Sequence, residues 1–342
     1  MIRTQHKDRS PLVSIVIVNY NGQKWIKKCL DSICRLTFKE YEVIMVDNAS
    51  YDESVKLVKN EFPWVQIIEN NANLGYAEGC NLGLSHANGK IIAFINMDVL
   101  LESNWLEELV KVLKSEKNTG ACCGKFFDFY GKKLQFPSEL DVPQESLEKC
   151  RQLRNVYGAA FATKRSVLQR IGLFDSKFFL YYDEIDWSWR LRLAGYKCVF
   201  VPTAIAYHWR GGGGGSYERR RFLTYRNRLR TLIKNCETPT LLSFTPLVAF
   251  ELFYSLFSSF SRKADKRWKG FSAARSMCQA ILWNIKFLKD TLKERAKVQH
   301  LRVYSDRYIN AKLQDLFYRA FLLILNSKEN RASLLSTKFN FP

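Results

Sequence analysis

Three places in the sequence hold groups whose types and spacing could do chemistry. The first is Ile91 to Val99, IIAFINMDV, where five unbroken apolar residues give way to Asn96, Met97 and Asp98. A short apolar run without alternation reads as a strand covered on both faces. Polar groups at the carboxyl end of such a strand stand in the crevice where open α/β sheets take ligands. Asp98 is thus a carboxylate placed for a metal or a nucleotide. Its competing role is a cap, like Ser103, for the helix SNWLEELVKVLKS.

The second place is FFLYYDEIDWSWRLRLAG, with Asp183, Glu184 and Asp186 inside four residues and aromatics on both sides. Acidic residues suit the first turn of a helix, and Asp186 is open to that explanation. Carboxylates crowded among aromatics also rise in pKa towards the range of a general base. The third place is AIAYHWRGGGGGS. His208 ends a short apolar strand there, and Gly211 to Gly215 follow as a mobile loop able to close over a ligand, or as a plain linker.

The elements that must position these groups begin with VSIVIVNYNG (Val13 to Gly22), a β-branched run followed by the helix signal WIKKCLDSIC. The pattern repeats with YEVIMVDNAS, whose strand ends at Asp47, then helix ESVKLVKNEF and strand VQIIEN. Strands alternating with helices predict βαβ units and a parallel sheet. In NANLGYAEGCNLGLSHANG, Gly75, Gly79 and Gly83 recur every four residues. They follow the third strand and miss the GxGxxG spacing, which disfavours a dinucleotide fold. Such a stripe lets a helix lie close to its neighbour. Asn73, just before it, sits where a phosphate could meet the helix N-terminus, unless the helix is simply tightly packed. TGACCGKFFDF reads as a strand, YGAAFATKRSVLQRIGLF as small residues and a helix, and Gly195 as the end of the helix that starts in DEID.

The 342 residues suffice for one large domain or two smaller ones, and an apolar fraction of 47% argues against disorder. Nine cysteines, an odd number without a CxxC pair, fit reduced thiols of a cytoplasmic protein better than a disulfide framework. The N-terminal MIRTQHKDRSP lacks an apolar h-region, so no signal peptide is expected. The net charge of +20 is uneven: residues 1–216 hold 28 Lys+Arg against 24 Asp+Glu, and residues 217–342 hold 25 against 9.

A basic last third attracts nucleic acid or an anionic membrane surface. In it, YERRRFLTYRNRLRTLIKN places arginines from Arg219 to Arg230 at helical spacing. Residues 241–260 are long enough to span a membrane, but Pro246 and a polar line that includes Glu251 and Ser255 favour a helix lying in the interface. A further helix from about Lys269 to Arg295 carries a stripe through Phe271, Ala274, Cys278, Ile281, Ile285, Leu288 and Leu292. Peripheral membrane attachment is the expectation, with packing on its own domain or on a second subunit of a homo-oligomer as the alternative. No nucleic-acid motif is present, and no nucleic-acid partner is expected.

Six segments in order, SIVIVNYNG, VDNAS, NLGYAEGCNLGL, FINMDV, FFLYYDEIDWSWR and YHWRGGGGGS, resemble family 2 glycosyltransferases of the GT-A fold. The resemblance covers roughly residues 12–235 and is nearest to the rhamnosyltransferase-like enzymes of polysaccharide and O-antigen assembly. It implies an α/β fold with a Rossmann-like, mixed but mainly parallel sheet flanked by helices over residues 1–235, followed by a basic α-helical region over 236–342. It implies that Val18, Tyr20 and Asp47 contact nucleobase and ribose, with Asn73 and Asn96 near the nucleotide. Asp98 matches the last aspartate of the DxD metal motif, and His208 the histidine that completes the metal site. Glu184 falls at the general base, with Asp183 as the alternative. Asp186, Trp187 and Ser216 are candidates for acceptor or loop contacts.

Two departures stand out: Asn96 replaces the first aspartate of DxD, and Asp-Glu stands where Glu-Asp is commoner. The implied reaction is inverting transfer, possible with rhamnose, from a nucleoside-diphosphate sugar to a glycan or lipid-linked acceptor at the inner face of the cytoplasmic membrane. The leaving diphosphate calls for Mg2+ or Mn2+, and the acceptor hydroxyl for a carboxylate base. A sugar-nucleotide nucleotidyltransferase would need a glycine-rich basic loop, which VNYNGQKW is not. A non-enzymatic basic scaffold is the remaining alternative class.

Overall fold

The computed structural model describes residues 10–136, 148–209, 215–259 and 264–310. The first half alternates as expected: β1 (Val13–Asn19), α1 (Ile26–Cys34), β2 (Tyr41–Asp47), α2 (Ser54–Glu61), β3 (Gln66–Glu69), α3 (Gly75–His86) and β4 (Ile91–Asn96). These strands pair in parallel in the order β3-β2-β1-β4, with Asn19 level with Asp47 and Val18 level with Asn96. All seven residues of β1 are buried, which is why VSIVIVN shows no alternation. The glycine stripe works as a packing surface. A Cβ on Gly83 would lie 2.4 Å from Val16 Cγ1, and one on Gly79 would lie 2.8 Å from Val18 Cγ1, so only glycine lets α3 lie this close to β1.

The second half is β5 (Val99–Leu101), α4 (Trp105–Ser115), β6 (Thr119–Asp128), β7 (Leu134–Phe136), β8 (Arg151–Leu153), β9 (Ala160–Lys164), α5 (Arg165–Ile171), α6 (Asp183–Leu193) and β10 (Lys197–His208). The main path of the sheet runs β3-β2-β1-β4-β9-β6-β10-β5, with β7 on β6 and β8 on β10. Beyond β4 it is mixed. β9 is antiparallel to both β4 and β6, whereas β6 and β10 are parallel. β9 lies in AAFATK, where the sequence pattern predicts only small residues and a helix. Alanine favours helix, and five residues are too few to show a period. Burial on both faces between two strands overrides that preference: Ala160, Phe161, Ala162 and Thr163 are all fully covered. His208 ends not a short strand but one of twelve residues, irregular between Val201 and Ile205.

Five helices complete the described chain: α7 (Tyr217–Asn235), α8 (Thr238–Ser259), α9 (Ala264–Lys286), α10 (Leu288–Leu301) and α11 (Asp306–Asn310). The single helix expected over Lys269–Arg295 is therefore two, divided at Phe287. Trp189, Leu193, Leu232, Cys236, Phe244 and Val298 form a second small core that ties α6 to α7, α8 and α10. The helical layer is thus anchored on the helix that carries the DEID cluster.

Helix α8 has an outward apolar side. Leu242, Phe253, Leu256 and Phe257 are exposed, while Ser255 is buried and Glu251 pairs with Arg228. Over Thr238–Phe257 it is long and apolar enough to cross a membrane by length and composition. The stripe on α9 and α10 also faces out at Phe271, Cys278, Ile285, Leu288 and Leu292, whereas Ala274 is buried.

Candidate active site

The sheet register brings the first group of polar residues to one edge. Asn19 and Asp47 end adjacent strands, and the Asn19 side-chain amide donates to Asp47 Oδ1 at 2.7 Å. The Ser50 hydroxyl donates to the same oxygen at 2.6 Å, and the Ser50 backbone N–H donates to Oδ2 at 2.9 Å. Asp47 is thus buried and engaged in shaping the turn after β2. Val18 is nearly buried beneath α3, and Tyr20 is exposed beside Tyr51. Asn73 accepts the Gly75 N–H at 2.9 Å and so holds the start of α3.

Asp98 is not a helix cap. Helix α4 begins at Trp105 without a side-chain cap, and Asp98 lies ahead of β5, whose Val99 is level with His208. His208 Nε2 is 3.5 Å from Asp98 Oδ1, and Trp209 N–H donates to the Asp98 carbonyl at 3.1 Å. On the far side of the ring, His208 Nδ1 lies 3.1 Å from Tyr157 Oη. Asp98 is buried and Asn96 and His208 are half-buried, and Asn96 Oδ1 is buried without a hydrogen-bond partner among the described residues.

Among the described residues no three or more His, Cys, Asp or Glu side chains converge on one point. A carboxylate and an imidazole side by side, with an unsatisfied amide oxygen on the same strand end, fit an open site whose other positions would come from phosphate oxygens.

The second group sits at the N-terminus of α6. Burial pushes the Glu184 carboxyl above its ordinary range. It pushes Asp183 up further, where the neighbouring Glu184 charge adds to the effect. Asp183 is the more enclosed of the two, close enough to Tyr76 and Cys80 for its charge to act on both. Glu184 instead lies against the chain at Gly158, where a Cβ would stand 3.0 Å from Glu184 Cδ.

Two expected contacts are corrected. Asp186 has no exposed surface and is bound by Arg190 at 3.0 Å, Lys234 at 3.0 Å and the Asn235 amide at 3.2 Å, so it organises the interior instead of meeting an acceptor. Trp187 is also fully buried, packed on Phe161 and Phe174 with its indole N–H on the Gly172 carbonyl. Ser216 caps α7 by accepting the Arg219 N–H at 3.2 Å. Gly211 to Gly214 of the glycine run lie outside the described residues.

Tyr157 and Gly158 were not predicted, yet they join the two groups. Tyr157 touches His208, Gly158 touches Glu184, and the Gly158 carbonyl accepts from Tyr76 Oη at 3.1 Å. Equally unforeseen is the turn just before α6, where Phe179, Tyr181 and Tyr182 all adopt positive φ.

The family model for Glycosyl transferase family 2 matches residues 14–172. That stretch holds β1 to α5 and the Asn96–Asp98 end. Residues 14–172 are a family 2 glycosyltransferase domain. The chain is similar to an uncharacterized glycosyltransferase of Haemophilus influenzae, 32% identical over 118 residues, which are 32% of this chain and 35% of the relative. Glycosyltransferase AglE of Haloferax volcanii is 24% identical over 216 residues, 58% of this chain and 67% of that protein. The matches to these two relatives thus span from 35% to 67% of their length. Among solved structures, the mannosyltransferase PcManGT from Pyrobaculum calidifontis, in complex with GDP-Man and Mn2+, aligns with a TM-score of 0.54 at 20% identity. That alignment covers 94% of this chain and 89% of the mannosyltransferase, so the likeness of fold reaches into the helical layer.

Proposed function

We propose that the chain transfers a sugar from a nucleoside-diphosphate sugar to a glycan or lipid-linked acceptor, with inversion, using Glu184 as general base. One observation carries this reading. Tyr157 contacts His208, and a Cβ on the next residue, Gly158, would stand 3.0 Å from Glu184 Cδ, so two adjacent residues border both the Asp98–His208 pair and the raised-pKa carboxylate. The complex of the mannosyltransferase with GDP-Man and Mn2+ supports the donor class.

In this reading the strand ends at Val18, Tyr20, Asp47 and Asn96, with Asn73 nearby, hold the nucleotide. Asp98 and His208 would hold Mg2+ or Mn2+, which when bound offsets negative charge on the leaving diphosphate. Tyr157 fixes the His208 ring, as outer partners of ligating histidines do. Glu184 takes the proton of the acceptor hydroxyl. Its raised pKa makes it a stronger base than an exposed carboxylate. Asp183, more enclosed, reinforces that shift and remains the alternative base.

The described helices α8 to α11, within residues 236–342, are the membrane-facing part. The exposed apolar residues of α8, α9 and α10 and the basic balance of this third support peripheral attachment at the cytoplasmic face. Rhamnose is the sugar favoured by the sequence resemblance. The test is a panel of nucleotide sugars presented to the full chain with Mg2+, Mn2+ or chelator. Transfer from one donor with divalent cation supports the reading, and hydrolysis or transfer from none overturns it.

A further inference from the structure

A groove lies away from the strand ends, between α7 and α9, with a volume of about 740 Å³. Its walls are of two kinds. Phe222, Phe271 and Trp283 supply aromatic surface, while Arg219 and Arg275 supply guanidinium groups. Ser272 lines the same groove, is 5% exposed, and its hydroxyl oxygen is buried with no partner among the described residues. A buried hydroxyl without a partner costs stability unless a ligand or water completes it. Glu218 also lines the groove, but the two arginines leave the lining cationic, and Arg220 and Arg221 stand on the same turn of α7.

The groove is linked to the reaction centre. The Arg219 guanidinium lies 5.1 Å from the Phe179 ring centroid, and Phe179 belongs to the turn that leads into Asp183 and Glu184. Exposed apolar residues flank Arg275 along α9, Phe271 one turn before it and Leu282 two turns after it, at 55% and 65% exposure. Guanidinium groups beside the catalytic turn, flanked by aromatic and exposed apolar surface, are complementary to an anionic head with an apolar tail.

We infer that this groove binds a single-chain lipid phosphate, the carrier end of a lipid-linked acceptor. Arg275 and Arg219 take the phosphate, Ser272 donates to it, and the aromatic wall takes the first part of the chain. A volume of this size suits one head and a length of one chain. A bilayer phospholipid has no need of a head seated beside the catalytic turn, so the substrate carrier is the occupant chosen. The inference rests on the proposed transfer only for the word acceptor; binding itself needs no donor.

The experiment uses the full chain and farnesyl phosphate below its micellar concentration, followed by calorimetry and tryptophan fluorescence. Farnesol, inorganic phosphate and phosphatidylglycerol vesicles are the control probes. Saturable binding is expected, with farnesol and phosphate each weaker by about ten-fold or more. Arg275→Glu should weaken farnesyl phosphate by a similar factor, and Ser272→Leu should do the same by filling the hydroxyl position. Arg275→Gln, which keeps the side-chain length, replaces the charge reversal if that variant does not fold.

Equal affinity for inorganic phosphate, meaning an adventitious ion only, would overturn the inference. So would wild-type affinity in the arginine and serine variants, binding to vesicles alone, or a groove closed by a second copy of the chain in sedimentation. Nucleotide-sugar binding is measured in parallel. Its loss with lipid phosphate binding intact would sink the transferase reading and leave the groove assignment standing.

Discussion

The Asn227 side-chain amide donates to the Tyr181 carbonyl across 2.7 Å, and it also reaches the carbonyls of Phe178 and Leu180 at 3.0 Å. Arg226, one residue earlier on α7, donates to the Lys177 carbonyl at 2.9 Å and the Phe178 carbonyl at 2.5 Å. Between them they hold a turn in which Phe179, Tyr181 and Tyr182 have φ of 64°, 69° and 72°. Left-handed backbone in residues with a Cβ costs of order 1–3 kcal/mol each and persists only where surroundings over-determine it. Helix α7 therefore aims the first residues of α6.

Asn227→Ala should release that turn. Each buried carbonyl left without a donor costs about 1–3 kcal/mol, so the thermal midpoint falls. The informative readout is the pH profile. Water admitted beside Glu184 would relax its burial-raised pKa, and the acid limb of kcat would move to lower pH while donor KM holds. A merely structural role would lower the folded fraction and leave the limb in place.

Glu184→Gln should lower transfer by about 10²–10⁴-fold, the usual worth of a positioned base, with nucleotide affinity retained. Asp183→Asn separates the two carboxylates. With Glu184 as the base it loses much less. A loss as large as that of Glu184→Gln would move the assignment to Asp183. In the unmodified chain, activity should rise with pH through an apparent pKa above the ordinary carboxylate range, since burial raises both groups.

The parallel half of the fold was legible because β1, β2 and β4 are buried on both faces and announce themselves as unbroken apolar runs. The positions of Asp98, Glu184 and His208 at strand or helix ends were legible because apolar runs stop or helix signals begin there. β9 was not, because a central strand flanked by other strands needs only small, covered side chains, and AAFATK has the composition of a helix. The charges of α7 misled for a related reason. Arg226, Arg230 and Lys234 recur every four residues like a solvated face, yet all three are buried against acidic and carbonyl partners that are remote in sequence. Spacing gives a face, but not which side of the molecule it turns to.

The cation pair can be tested through its supporting hydroxyl. Tyr157→Phe removes the oxygen 3.1 Å from His208 Nδ1 and leaves the ring in place against Phe136 and Phe126. Outer partners of this kind are worth about 10- to 100-fold in metal affinity. The Mn2+ concentration for half-maximal activity, and the quenching of Mn2+ relaxation by the protein, should both shift by that order. His208→Ala should shift them further. Unchanged Mn2+ affinity in both variants would remove His208 from the site.

The acid stability of the chain should report the buried charges beneath α6. Burial alone would raise Asp175, but the charges and hydrogen bonds of Lys234 and Arg230 outweigh it and hold the carboxyl well below its usual range. Arg230 Nε is 2.7 Å away and Lys234 Nζ 2.6 Å. A depressed carboxylate stabilises the fold above its unfolded pKa near 4, and that stability drains away as pH falls through the folded value. Asp183 and Glu184 act in the opposite sense, since raised carboxyls favour the fold at low pH and lose that advantage as pH climbs through their folded values. Asp175→Asn should therefore flatten the rise in unfolding free energy over the acid range from about pH 5 down towards the depressed folded value. At neutrality it should cost roughly 3–5 kcal/mol, because Arg230 and Lys234 stay buried with one partner fewer. Denaturant unfolding at a series of pH values measures both. A parallel offset at every pH, without loss of slope, would show that Asp175 is not the group whose titration sets the acid limb.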